Sequence, residues 1–176
     1  MSTATTEPPV TARSPRSDLL RDAGIVLVWF VVVGVVAGLV WWQLVDLPQA
    51  TRQGGAVVVE ADQLGKQVNS DGWFLVLALV GGLVSGIVLL FWRERDALAM
   101  VVLVALGGGL AGVLASRLGR WLGPGSAEDV LRHKPDGAHA MMPLEVHASG
   151  LLWIWPAAAA LGALLYLWVI KSPESD

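Results

Sequence analysis

The residues best suited to chemistry lie in one stretch: His139, Met141, Glu145 and His147. Read as a strand, Ala138–Ala148 alternates its side chains. That puts those four on one face and Ala140, Met142, Leu144 and Val146 on the other. Two imidazoles and a carboxylate are a donor set for a divalent cation. The spacing argues against such a site. His139 and His147 are eight residues apart, about 26 Å along an extended strand, and cannot meet at one ion. A solvated face explains them better, so no metal ligand is assigned.

The other candidate is Ser85, the single hydroxyl in the apolar run GGLVSG. It has no His or Lys on its own helix to activate it, and reads as a small packing residue. The chain contains no G-x-x-x-x-G-K-[ST], no H-E-x-x-H and no G-x-S-x-G. Without cysteine it has no disulfide, thiolate metal site or cysteine nucleophile. No catalytic residue and no cofactor is assigned, and the chain reads as non-enzymatic.

The elements carrying these residues are those of a membrane protein. Of 176 residues, 55% are hydrophobic and 15% charged, with a mean hydropathy of +0.60; soluble domains are about one quarter charged. The net charge of −3, without a basic stripe, gives no footprint for nucleic acid. Uncharged runs predict spans at Ala23–Val45, Gly72–Trp92, Ala97–Ser116 and Ser149–Ile170, each long enough as a helix for a hydrocarbon core of about 30 Å. In the first span the β-branched run Val26–Val36 suggests a strand, but lipid offers no partner to an open strand's backbone, so helix wins. Many of the nine tryptophans fall at span ends, as an interfacial belt requires.

Glycine spacing says how the spans pack. Gly34/Gly38, Gly82/Gly86 and Gly108/Gly112 are G-x-x-x-G steps, which let a second helix reach backbone contact in lipid. Ala105/Gly109 and Ala111/Ala115 repeat the spacing in the third span, which therefore reads as the packing hub. Arg93–Asp96 is so short that it predicts antiparallel, neighbouring second and third spans. Val33–Leu44 also matches Gly107–Leu118 at an offset of 74. Shared composition explains that as well as a parallel internal repeat does.

Residues 1–22 are polar and rich in Ser, Thr and Pro, and read as a disordered tail. The run after them is too long for the apolar part of a signal peptide. Asp18 or Asp22 is the expected cap of the first helix. The loop 46–71 holds an expected strand at Ala56–Glu60 and a helical turn or two at Asp62–Asn69. The loop 117–148 holds a short helix at Ser126–Lys134 with a serine N-cap, a turn at Pro135-Asp136-Gly137, and the strand already described. An even number of crossings separates the loops, so both emerge on one side. Val57 and Val59 are expected to share an apolar face there with Met142, Leu144 and Val146. Lys and Arg divide six and six between the sides, but more densely in the shorter segments, which places the N-terminus and the tail 171–176 in the cytoplasm.

Several stretches together resemble a family of small four-span actinobacterial membrane proteins classed only as a domain of unknown function, some labelled permease-like. They are the WW-ended first span, DGWF at Asp71–Phe74, RLGRWLGP at Arg117–Pro124, and PDGAHAMMPLEVHASGLLWIWPAAA at Pro135–Ala159. The resemblance covers about Asp22–Ile170 and implies no functional residue. The expected fold is thus an all-α membrane protein, a four-transmembrane-helix bundle in the plasma membrane with a small extracytoplasmic α/β cap formed by the two outer loops. The expected function is a non-enzymatic scaffold that binds a partner, whether a membrane protein, a lipid or a second copy of itself. The alternative is a small transporter or transport-complex subunit, which the absence of a mid-membrane ionisable residue weakens.

Overall fold

The computed structural model describes residues 15–93 and 96–171. Helix α1 spans Pro15–Leu44. It opens on proline, whose fixed φ and missing N–H suit a first helical position. Residues 1–14 of the expected tail lie outside the described residues, but Pro15–Asp22 is helical. Asp18 and Asp22 fall inside the helix, so neither caps it. Asp22 instead pairs with Arg93 at 2.8 Å.

The loop after α1 forms a hairpin, β1 at Gln49–Gln53 and β2 at Ala56–Val58. Gly54 and Gly55 both take positive φ between them, the backbone a two-residue hairpin turn needs and glycine adopts without strain. Helix α2 then runs unbroken over Ala61–Trp92. The expected helical turn at Asp62–Asn69 is its first part and not a separate element. No proline interrupts it, and a break at Gly72 would free backbone groups for which a glycine penalty of about 1 kcal/mol is a smaller loss.

Helix α3 is Ala97–Leu122, capped by the Asp96 carboxylate accepting from the Ala99 N–H at 3.1 Å and ended by Gly123. The short helix α4 covers only Ala127–Leu131, and the Ser126 side chain makes no capping bond. Strand β3 is His139–Met141, much shorter than the expected Ala138–Ala148. Pro143, lacking a ladder donor, stands two residues beyond its end. A 3₁₀ turn at Ser149–Trp153 leads into α5, Ile154–Lys171. Pro156 lies in its first turn, where no intrahelical partner awaits an N–H.

Four segments are long and apolar enough to cross a membrane: Leu19–Leu44, Ala61–Trp92, Ala97–Leu131 and Ser149–Ile170. Their principal contacts are α1 with α3, α2 with α5, and α3 with α5. The short Arg93–Asp96 link makes α2 and α3 antiparallel, yet they touch only slightly. The two most extensive pairs, α1 with α3 and α2 with α5, are parallel. Phe30 lies over Gly107, Gly34 against Ala111, Gly38 against Ala115 and Trp41 over Gly119, so residue numbers rise together along both helices. On the other side Gly82 and Gly86 meet Ala158, Ala159 and Ala163, while Gly162 meets Leu83.

The hub helix uses two faces. Gly107, Ala111, Ala115 and Gly119 receive α1, and Gly108 and Gly112 receive the start of α5. A Cβ added at Gly34 would stand 2.9 Å from the Ala111 backbone, and one at Gly112 2.9 Å from the Trp155 ring. Gly109 belongs to neither face: a Cβ there meets nothing within 4 Å. Trp155 fills the centre, fully buried between Gly81 of α2 and Gly112 of α3.

At one end of the bundle the two long loops join in a single antiparallel sheet of order β2-β1-β3. The expected strands do not pair with each other; β1, not foreseen as a strand, lies between them. Its register with β3 is Gln49↔Met141, Ala50↔Ala140 and Thr51↔His139. A small second core of Ala50, Ala127 and Leu131, flanked by Val59, Ala140 and Met142, lies between this sheet and α4.

Candidate functional site

His139, Met141, Glu145 and His147 part company in the structure. His139 Nδ1 lies 2.9 Å from the Thr51 hydroxyl within the sheet. Glu145 pairs with Arg120 at 3.3 Å. The ring of His147 approaches Asp71 at 3.6 Å. Met141 is exposed on the sheet. A straight strand through all four does not exist, because β3 ends at Met141. Ser85 is buried and donates its hydroxyl back to the Gly81 carbonyl at 2.6 Å, a bond that occupies the hydroxyl within its own helix.

Asp71 and Leu144 tie the cap to the bundle, and Trp41 braces two bundle helices beneath it. Asp71, on α2, accepts from the backbone N–H groups of His147 and Ala148, both at 3.1 Å; it thereby holds the entrance to the 3₁₀ turn. Trp41, at the end of α1, donates its indole N–H to the Ser70 carbonyl at 2.9 Å and stacks edge-on against Phe74. Leu144 drops out of the cap altogether. It packs on Gly119 and Gly123, fully buried in the bundle core, and Val146 joins the same core. The expected apolar face shared with Val57 and Val59 therefore keeps only Met142 and Val59; Val57 is exposed.

Within the cap Arg52 is the central cation. Its guanidinium donates to the carbonyls of Leu131 and Arg132 at the end of α4, and its Nε lies 3.5 Å from Asp136. Cations at a helix C-terminus complement its carbonyl dipoles. Asp136 also accepts from the Gly55 N–H at 3.3 Å. The hairpin of one loop and the turn of the other are thus clamped across more than eighty residues of sequence.

Between the cap and the end of α3 runs an open groove of about 1200 Å³. It is lined by Gly55–Val57 and Val59 around β2 and by Arg117, Arg120 and Trp121 at the end of α3. The α3–α4 link, Met142 and Pro143 also line it. Among the described residues Arg117 has no carboxylate partner, whereas Arg120 has Glu145 and Arg132 has Asp129. Trp121 is 80% exposed.

The free edge of β2 is the other open feature. Ladder bonds alternate. Arg52 donates to the Ala138 carbonyl and accepts from Gly137, so its backbone polar groups turn toward β3. Its partner across the hairpin, Val57, accordingly presents its own N–H and C=O away from β1, on the open side. All three β2 residues are exposed.

Of the six glycines that the sequence spacing singles out, Gly34, Gly38, Gly82, Gly86 and Gly108 lie close to backbone atoms of a neighbouring helix, and Gly112 faces the Trp155 side chain. The spacing missed Gly107, Gly119 and Gly162, whose counterparts are a Phe ring, a Trp ring and a carbonyl. A continuous four-residue row from Gly107 through Ala111 and Ala115 to Gly119 was the available signal. Arg52 carried no sequence signal, since its role depends on a partner about eighty residues away. Comparison with known proteins adds no relative: no protein-family model, no curated protein and no solved structure matches the chain.

Proposed function

We propose that this chain is a non-enzymatic binding protein of the plasma membrane. Its four-helix bundle holds an extracytoplasmic cap, and the cap docks an extended segment of a partner protein along β2. The observation that carries this is the unguarded edge. Exposed sheet edges are normally blunted by lysine, proline or a bulge. Here β2 is short but apolar and exposed over Ala56, Val57 and Val58, with the Val57 N–H and C=O turned outward, and such an edge takes up a further strand by main-chain bonding. Both termini lie in the cytoplasm in this reading, and the resemblance to small four-span actinobacterial proteins belongs to the same proposal. A transport role has less support: Trp155 plugs the bundle axis, and none of the spans holds an ionisable residue midway.

Val57→Pro tests the docking. It removes only the outward N–H, leaving the β1 ladder intact. Purification in mild detergent should recover a defined partner with the unchanged chain and lose it with Val57→Pro. Recovery of the same partner by both would refute docking at β2, and recovery of a permease or ATPase would favour the transport reading. A cysteine introduced by Gly125→Cys, in the exposed α3–α4 link, should react with an impermeant reagent added outside intact cells. Protection there would reverse the orientation.

A further inference from the structure

We infer that the cap end of α3 holds an anionic phospholipid, its phosphate between Arg117 and Arg120 and an acyl chain along the outer face of the helix. The site needs no protein partner and lies at the α3 end of the groove.

Three observations converge. The first is level. Arg117 is the first charge after the uncharged run Ala97–Ser116, so it stands where the hydrocarbon ends, about 30 Å from Ala97 along the helix. Trp121, one turn further and almost wholly exposed, sits where an indole prefers the headgroup layer. Trp42, Trp73 and Trp153 are exposed at the same end, and Trp92 and Trp168 at the other. From Trp73 to Trp92 the rise is about 28 Å, close to one hydrocarbon thickness.

The second is charge. Arg52, Arg117, Arg120 and Arg132 line the groove against Glu128 and Glu145. Arg52 is committed to α4 and Asp136, and Arg132 lies beside Asp129. Among the described residues that leaves Arg117 without a carboxylate partner and Arg120 sharing an exposed carboxylate at 3.3 Å, a pairing worth little in water. Spaced i, i+3 on one helix, the two guanidiniums are placed to converge on a single phosphate, for which arginine's donor fork is well suited.

The third is shape. At 100° per residue, Leu106, Gly109, Val113, Arg117 and Arg120 share one strip of α3. Leu106 and Val113 are exposed, and between them Gly109 leaves a notch with nothing opposite within 4 Å. An acyl chain descending from a phosphate at Arg117 would lie along that notch. This gives Gly109 a use that packing between helices does not.

The test uses the full-length protein, delipidated in detergent and offered phosphatidylglycerol, phosphatidylcholine or inorganic phosphate. Lipid retention is read by native mass spectrometry and stabilisation by thermal unfolding. The unchanged chain should retain phosphatidylglycerol over phosphatidylcholine by about tenfold, a difference of about 1.4 kcal/mol, with no stabilisation from inorganic phosphate. The double variant Arg117→Gln/Arg120→Gln should lose the preference, and Arg117→Lys/Arg120→Lys should restore most of it. Glu145→Gln, freeing Arg120, should strengthen it. If the double variant misfolds, Arg117→Gln alone decides, since that side chain has no ionic partner to lose; a several-fold weaker retention is expected. Undiminished preference in the glutamine variants would overturn the site. Stabilisation by inorganic phosphate equal to that by the lipid would assign it to a free anion and overturn the lipid.

Discussion

The bundle and the cap are built from opposite kinds of contact. In the bundle, α1 meets α3 and α2 meets α5 through glycine and alanine, backbone against backbone, with Phe30, Trp41 and Trp155 laid over glycine positions. In the cap, cohesion comes from ladder bonds, the Arg52 clamp and a core of only a few side chains. The first kind is steric and short-ranged: lipid competes poorly with it, but it tolerates no added atom. The second is directional and works in water, where each hydrogen bond nets only about 1 kcal/mol. The cap is therefore the part that opens first, and it draws stability from the bundle through Leu144 and Asp71.

The sharpest way to break this comparison is to add atoms to the bundle. Gly86→Leu places a branched side chain where the Ala159 carbonyl and Ala163 amide already stand, and should cost about 3 kcal/mol. Thermal unfolding in detergent would show it as collapse of the main transition. Gly112→Leu, pressing on Trp155, should act similarly. Gly109→Leu, one turn away on the open face, should leave the transition within about 0.5 kcal/mol. Equal losses at positions 86 and 109 would mean that glycine content matters and close approach does not.

Leu144→Asp probes the coupling between the two regions. It replaces a fully buried leucine with a carboxylate facing Gly119 and Gly123, at a cost of about 4 kcal/mol or more. The loss should appear as faster hydrogen exchange in both loops, at Arg52 as well as at Met142, whose amides bond to Ala138 and Pro48. Exchange changes confined to the second loop would separate the two loops from each other. Asp71→Ala removes the acceptor for two backbone N–H groups and should loosen the Ser149–Trp153 turn by about 1–2 kcal/mol, read at the His147 and Ala148 amides. Glu145→Asp, on an exposed pair, should be almost silent in exchange.

The same contrast explains what was legible in the sequence. Span number and the backbone-close glycines follow from local spacing and from the cost of burying charge in lipid, both readable within twenty residues. Cap topology does not. Gln49–Gln53 has a polar composition that hides a strand, and it becomes one only because β3 and β2 flank it. His139–His147 alternates convincingly as far as Pro143, but the chain then turns to send Leu144 into the bundle. The pairing of α1 with α3 across an intervening helix was likewise hidden, since link length speaks only of consecutive helices. A register offset of 77, as between Gly34 and Ala111, also differs from the offset of 74 found by aligning the spans. Contact between the helices therefore does not establish a repeat.

That both loops form one folded cap is most directly tested by a cross-link between them. Gln49 and Met141 are directly opposed, both exposed, and form a non-hydrogen-bonded pair by the ladder alternation; such pairs bring Cα atoms to about 4.5 Å, within disulfide range. The chain has no cysteine of its own, so Gln49→Cys with Met141→Cys gives a clean background. Mild oxidation in native membranes should close this bond within one chain, leaving fragments joined after cleavage between α2 and α3. The shifted pair Gln49→Cys with His139→Cys should close far more slowly. Equal rates for the two pairs, or no intramolecular bond in the first, would contradict a single cap.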